Sequence, residues 1–132
     1  MKKIGLVTIT YNSAHVIEPF LQCVLAQTHT NFMLYVIDNI SSDTTLELIK
    51  KYSDNRIVLI ANTENVGVAK GNNQGIAQAL EDGCEELLII NNDVEFENTL
   101  LEKLSNQLEV LNCSLVAPKM LYYPETNLIW WA

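Results

Sequence analysis

Four short runs rich in Val, Ile and Leu, none alternating cleanly with polar residues, limit what this chain can fold into. They lie at 3–10 (KIGLVTIT), 32–38 (FMLYVID), 56–61 (RIVLIA) and 86–90 (ELLII). A strand with one wet face alternates apolar and polar residues, whereas a continuous apolar run marks a strand covered on both faces, as in a parallel sheet between helices. The stretches between the runs carry a helical period instead. In 14–27, Ile17, Phe20, Leu21, Val24 and Leu25 recur at three- and four-residue spacing, with Pro19 falling in or near the first turn. In 44–53, Thr44 and Glu47 fit a capping box, Asp43 favours the same start, and Leu46, Ile49 and Tyr52 supply the stripe. A third helix is expected over about 70–82, ending at a left-handed Gly83. A fourth is expected over about 97–111, with Leu100, Leu101, Leu104, Leu108 and Leu111 inward. The order βαβαβαβα predicts right-handed crossovers and an α/β fold: a mostly parallel, doubly wound sheet sandwiched by helices.

The pattern changes after residue 111. Short apolar runs at 114–117, 120–123 and 127–131 flank a turn at Pro124-Glu125-Thr126, so 119–131 reads as a C-terminal β-hairpin. The last residues, Trp130-Trp131-Ala132, end a strand on two large aromatics. Either the tryptophans pack the sheet's edge or a second half of the domain is missing, and the expectation is the missing half. The 132 residues amount to one domain, and 48% hydrophobic against 18% charged residues excludes intrinsic disorder.

Sixteen acidic against eight basic residues give a net charge of −8, so general nucleic-acid binding is not expected. A phosphate-bearing ligand would need a metal ion or a few placed cations. Cys23, Cys84 and Cys113 are an odd number with no CxxC pair, which reads as buried free thiols in a reducing, cytoplasmic setting. The apolar run after Lys3 is too short and too soon interrupted for a secretory core of about 7–15 residues. No stretch approaches the ~18 apolar residues of a membrane span.

In open α/β sheets, ligands bind beyond the carboxyl ends of the strands, where strand order reverses. The residues there are Thr10-Tyr11-Asn12-Ser13, Asp38-Asn39-Ile40-Ser41-Ser42-Asp43, 62–73 with its glycines, and Asn91-Asn92-Asp93. Any one such loop is ordinary turn chemistry. Four on one edge of a greasy sheet point to a polar ligand. There is no glycine between 6 and 66, which excludes a GxGxxG dinucleotide loop after the first strand, and no GxxxxGK[ST] phosphate loop exists. Tyr11 could stack on a nucleobase or pack half-buried, and Asp38 could accept from a base N–H or merely precede a helix. Gly67, Gly71 and Gly75 recur every four residues; close helix-to-sheet packing is expected for Gly75, and for Gly71 a backbone approach to a ligand is at least as plausible.

Val7-Thr8-Ile9-Thr10-Tyr11-Asn12, Gln27-Thr28, and Val36-Ile37-Asp38-Asn39 with Ser41 and Asp43 together resemble the start of a family 2 glycosyltransferase of GT-A, Rossmann-like fold. The resemblance continues through Asn65-x-Gly67-x-x-x-Gly71-x-Asn73-x-Gly75, Leu88-Ile89-Ile90-Asn91-Asn92-Asp93, and Ala117-Pro118-Lys119 leading to Ile129-Trp130. It implies that residues 1–132 are the nucleotide-sugar-binding part of a single GT-A domain, with the acceptor-binding remainder absent. The implied donor residues are Thr10, Tyr11 and Asn12 around the nucleoside, Asp38 on the base, and Asn39 beside it. Lys70 and Gly71 would lie near the phosphates, with Asn91 and Asn92 at the triplet. Asp93 stands where the family's DxD motif holds a divalent cation, Mn²⁺ or Mg²⁺, that bridges the donor phosphates. Asn91 would add a carbonyl oxygen to that metal or serve the ribose.

Two positions depart from the family: Thr44 follows Asp43 where glycine is usual, implying a different cap, and Asn91 replaces the first aspartate of DxD. The activity so implied is transfer of a sugar, with inversion, from a nucleoside diphosphate to a glycan or lipid-linked acceptor in polysaccharide biosynthesis. That acceptor leaves room for peripheral contact with a membrane. No residue matches the family's catalytic base, because the matching segment would lie beyond Ala132. The rival readings are a non-catalytic nucleotide-binding module and a sugar-phosphate nucleotidylyltransferase, whose glycine- and arginine-rich first loop Thr10-Tyr11-Asn12-Ser13 does not match.

Overall fold

The computed structural model describes residues 1–131, with the side chain of Trp131 outside the description. Four parallel strands form one sheet: β1 (Ile4–Thr10), β2 (Phe32–Asp38), β3 (Ile57–Ala61) and β4 (Glu86–Ile89). Their order is β3-β2-β1-β4. The chain therefore steps outward from β1 to β3, then crosses to the other side of β1 to lay down β4. That reversal is the doubly wound topology expected from the alternating runs.

Side-chain parity sorts the core into two layers. Ile4, Leu6, Phe32, Leu34 and Val36 face α1 (Ile17–Leu25), α2 (Thr45–Lys51) and α4 (Leu100–Val110) through Ile17, Phe20, Leu21, Val24, Ile49 and Leu101. Val7, Tyr35 and Ile37 face the opposite way, onto α3 (Gly67–Glu81) through Ala79 and Ile76. The α3 helix sits close because two of its residues have no side chain. A β-carbon on Gly75 would stand 2.4 Å from Val7 Cγ1, and one on Gly71 would stand 2.8 Å from Ile9 Cδ1. At the far end of α3, Gly83 at φ +77° makes the expected left-handed cap. There the buried Tyr35 hydroxyl donates to Asp82 Oδ2 at 2.8 Å, and burial above all, then its bonds to Cys84 and Asp82, push the phenol's pKa up.

Several expectations shift. The α3 helix begins at Gly67, so Lys70, Gly71 and Asn73 lie in its first turns and not in a loop. The capping box does not form: Thr44 makes no side-chain cap bond, and Asp43 Oδ1 accepts from the Thr45 N–H instead. Only one face of β4 is covered, with Leu87 and Ile89 39% and 54% exposed. In α4, Leu101 is buried but Leu111 is exposed. The hairpin forms from β5 (Met120–Leu121) and β6 (Ile129–Trp131) as a separate antiparallel pair. Trp130 is exposed and packs no edge, and Ala132 and the Trp131 side chain lie outside the described residues. Of the three free cysteines only Cys84 is buried, whereas Cys23 and Cys113 are half-buried. Among the described residues no helix is long and apolar enough to cross a membrane.

Candidate functional site

The carboxyl ends of β2, β1 and β4 lie side by side, and their loops are tied by side chains into one polar rim. At its centre is Asp38, fully buried at the end of β2. Its Oδ1 accepts from the Thr10 hydroxyl at 2.8 Å and from the Ser41 hydroxyl, and its Oδ2 accepts from the Ser41 N–H at 2.9 Å. A buried carboxylate is tolerable only when so satisfied. Asp38 thus fastens the loop after β2 to the end of β1, and in this arrangement its carboxylate is turned inward.

Asn12 makes the second tie. Its N–H donates to Ser41 Oγ at 2.9 Å, and its Oδ1 accepts from the Ser42 N–H at 2.8 Å. Asn12 adopts φ +51°, a left-handed conformation that asparagine tolerates. Asp43 closes the third tie, with Oδ2 accepting from the Ala14 N–H at 3.1 Å. The Thr45 hydroxyl above all, then the N–H groups of Thr45 and Ala14, hold the Asp43 carboxyl below its ordinary pKa. Between these anchors the Tyr11 ring stands 55% exposed, available to a ligand rather than packed.

Asn39 is buried beside Asp38 and belongs to an amide network that sequence reasoning missed. Its N–H donates to Thr10 O at 2.8 Å, while Asn62 Nδ2 donates to Asn39 Oδ1 at 3.0 Å and to Gln74 Oε1 at 2.9 Å. This fixes the second turn of α3 to the rim. The helix's N-terminus carries no acidic residue in its first turn and bears the exposed Lys70. The Gly67 N–H already donates to Asn65 Oδ1 at 2.9 Å, while the helix dipole and the Lys70 cation there favour an anion. Gly71 is buried against Ile9, so its missing side chain is explained by packing on the sheet and not by approach to a ligand.

At the β4 end, the triplet splits by role. Asn92 is buried and donates from Nδ2 to Ile9 O at 2.6 Å, which seats the loop on β1. Asn91 and Asp93, on either side, are exposed. No basic side chain pairs with Asp93 among the described residues, and no group of three or more His, Cys, Asp or Glu gathers to hold a metal. One carboxylate and one amide oxygen are hard donors suited to Mg²⁺ or Mn²⁺, but they are too few to form a cage by themselves. They fit a cation whose remaining ligands come from a bound diphosphate and water.

Gln27, buried behind this loop, was also missed as a fastener. Its Nε2 donates to Glu97 O at 2.8 Å and its Oε1 accepts from the Leu101 N–H at 3.0 Å, so it caps α4 and holds the segment after the triplet. Such long-range ties leave no periodic trace in a sequence, although Gln27 was visible as part of a motif. A groove of about 590 Å³ along β4 and one of about 410 Å³ beside α1 are lined by none of these rim residues.

Known proteins resemble the chain in both sequence and fold. The model for "Glycosyl transferase family 2" matches residues 6–132. Over 58% of this chain and 30% of its own length, the UDP-Glc:alpha-D-GlcNAc-diphosphoundecaprenol beta-1,3-glucosyltransferase WfgD of Escherichia coli is 34% identical. The dTDP-rhamnosyl transferase RfbF of Shigella flexneri is 31% identical over 74% of this chain and 34% of its own. The chain thus spans about a third of the length of these relatives. The mannosyltransferase PcManGT of Pyrobaculum calidifontis, solved with GDP-Man and Mn²⁺, superposes with a TM-score of 0.74 at 23% identity, covering 81% of this chain and 32% of that one. This likeness confirms the GT-A architecture.

Proposed function

The chain belongs to glycosyl transferase family 2, and on that premise we propose that its polar rim is the donor site of a glycosyltransferase. The donor is a nucleoside-diphosphate sugar, and the acceptor a glycan or lipid-linked sugar approached with inversion. The observation that carries this reading is topological. Strand order reverses between β1 and β4, and Tyr11 and Asn12 follow the first of these strands while Asn91 and Asp93 follow the second.

On this reading Tyr11 stacks on the base. Thr10, Asn12 and Asn39 shape the pocket, held in place by Asp38, whose own contact with the base requires Ser41 to release part of its carboxylate. Lys70 and the first turn of α3 face the diphosphate, where charge grows as the sugar–phosphate bond breaks. Asp93 and Asn91 would hold a divalent cation, which when bound neutralises that charge. Asn92 keeps both oriented from below. The catalytic base is not assigned to any residue of 1–132.

A thermal-shift screen with UDP, dTDP and GDP, each with and without Mn²⁺, tests the reading. A ligand at a hundred times its Kd adds about 2.7 kcal/mol of stability, so one nucleotide is expected to raise the melting temperature clearly, and more so with Mn²⁺. No shift with any nucleoside diphosphate would overturn it. Asp93→Ala is expected to abolish the Mn²⁺-dependent part of nucleotide binding measured by calorimetry, while leaving the melting temperature of the free chain unchanged.

A further inference from the structure

Ile40 stands in the rim at φ +61°, the left-handed region that β-branched residues avoid. Burial does not offset this, since the residue is 49% exposed. Both its neighbours are fixed. The Asn39 N–H donates to Thr10 O at 2.8 Å, and the Ser41 N–H donates to Asp38 Oδ2 at 2.9 Å. The loop therefore imposes the backbone angle, and for folding alone glycine or asparagine would suit it better. Asn12, in the facing loop, is left-handed too, and there the residue type matches the angle.

Two cross-ties bracket the position: Thr10 to Asn39, and Asn12 to Ser41. The residue left between them on the β1 loop is Tyr11, and on the β2 loop it is Ile40. Both are large, apolar in body and exposed, at 55% and 49%, in a rim otherwise built of amides, hydroxyls and carboxylates. Strain maintained at an exposed position without gain to the fold is the pattern of a functional residue.

We propose that Ile40 is a ligand-contacting residue that, together with Tyr11, forms an apolar wall for the nucleoside of the donor. This rests on the donor-site reading above and adds to it a residue that no polar motif would single out. The left-handed backbone leaves the side chain exposed to water until a base or ribose covers it.

The test compares the unmodified chain with Ile40→Gly, Ile40→Asn and Ile40→Val by thermal denaturation and by calorimetric titration with UDP and with GDP in the presence of Mn²⁺. Glycine and asparagine are expected to raise the melting temperature of the free chain by about 4 °C through relief of strain. Both are expected to weaken the affinity for whichever nucleotide binds by about tenfold, equivalent to ~1.4 kcal/mol. Valine, which keeps the apolar branch, is expected to hold affinity within about twofold. An unchanged affinity in Ile40→Gly, with the unmodified chain binding normally, overturns the role of Ile40 and leaves the donor site standing. A lowered melting temperature in Ile40→Gly makes Ile40 structural and also overturns it. Binding of neither nucleotide by the unmodified chain removes both the donor site and this wall.

Discussion

The rim has two unlike halves. On the β1–β2 side, Asp38, Asn12, Ser41, Asp43 and Thr45 exchange a closed set of hydrogen bonds, and little is left for a ligand to organise. On the β4 side, Asn92 alone of the triplet is seated, by one bond to Ile9 O, while Asn91 and Asp93 reach into solvent. In the donor site proposed above, the ordered half is the one assigned to the flat nucleobase and the open half the one assigned to the diphosphate and its cation. That assignment divides recognition into shape on one side and electrostatics on the other.

Three experiments would break or sharpen that contrast. Asp38→Ala carries the largest effect, since it strands the buried Thr10 hydroxyl and frees Ser41. A loss of about 3 kcal/mol in urea denaturation is expected, and a loss below about 1 kcal/mol would show that the closed set is not what holds the loops. Next, Tyr11→Ala leaves the exposed ring's surroundings intact, so stability should hold while nucleotide affinity falls by about 1–3 kcal/mol, the scale of aromatic–base stacking. Equal affinity would move the base elsewhere.

The smallest effect is acid sensitivity. The Asp43 carboxyl is held below its ordinary value by Thr45 above all, so its stabilising contribution is fully present above the unfolded pKa near 4. That contribution fades as pH falls through the folded value. Asp43→Asn should therefore flatten part of the melting-temperature decline as pH falls below about 4. An identical pH profile in the variant would place the acid response outside the rim.

The sheet was legible because Val, Ile and Leu runs and helical periods are local signals, and each of the four strands falls within two residues of its run. The start of α3 was not, because Asn65, Gly67 and Gly71 read as loop chemistry. Gly67 at φ +79° is indeed the turn, but Gly71 is glycine for the sake of Ile9, and only the packed sheet reveals that. The helix does start from Thr44, but the Thr44 hydroxyl makes no cap bond and the neighbouring Asp43 carboxylate takes the Thr45 N–H, a choice between two adjacent polar side chains that the sequence leaves open. At the site, Tyr11, Asn12, Asp38 and Asp93 stand out as polar groups after strands. Ser41, Asn62 and Gln74 act through partners as many as 29 residues away in the chain, and no spacing rule exposes such pairs. Ile40 was invisible for a different reason: its significance lies in an angle and not in its chemistry.

The two glycines of α3 have a mechanical consequence. With Gly75 and Gly71 seated on Val7 and Ile9, nothing compressible separates helix from sheet, so the volume of two β1 side chains sets the height at which the helix rides. Lys70 is adjacent to that contact. A methyl group gained or lost on the inner strand would act as a shim, lifting or lowering the Lys70 cation relative to the rim without altering any residue of the rim itself.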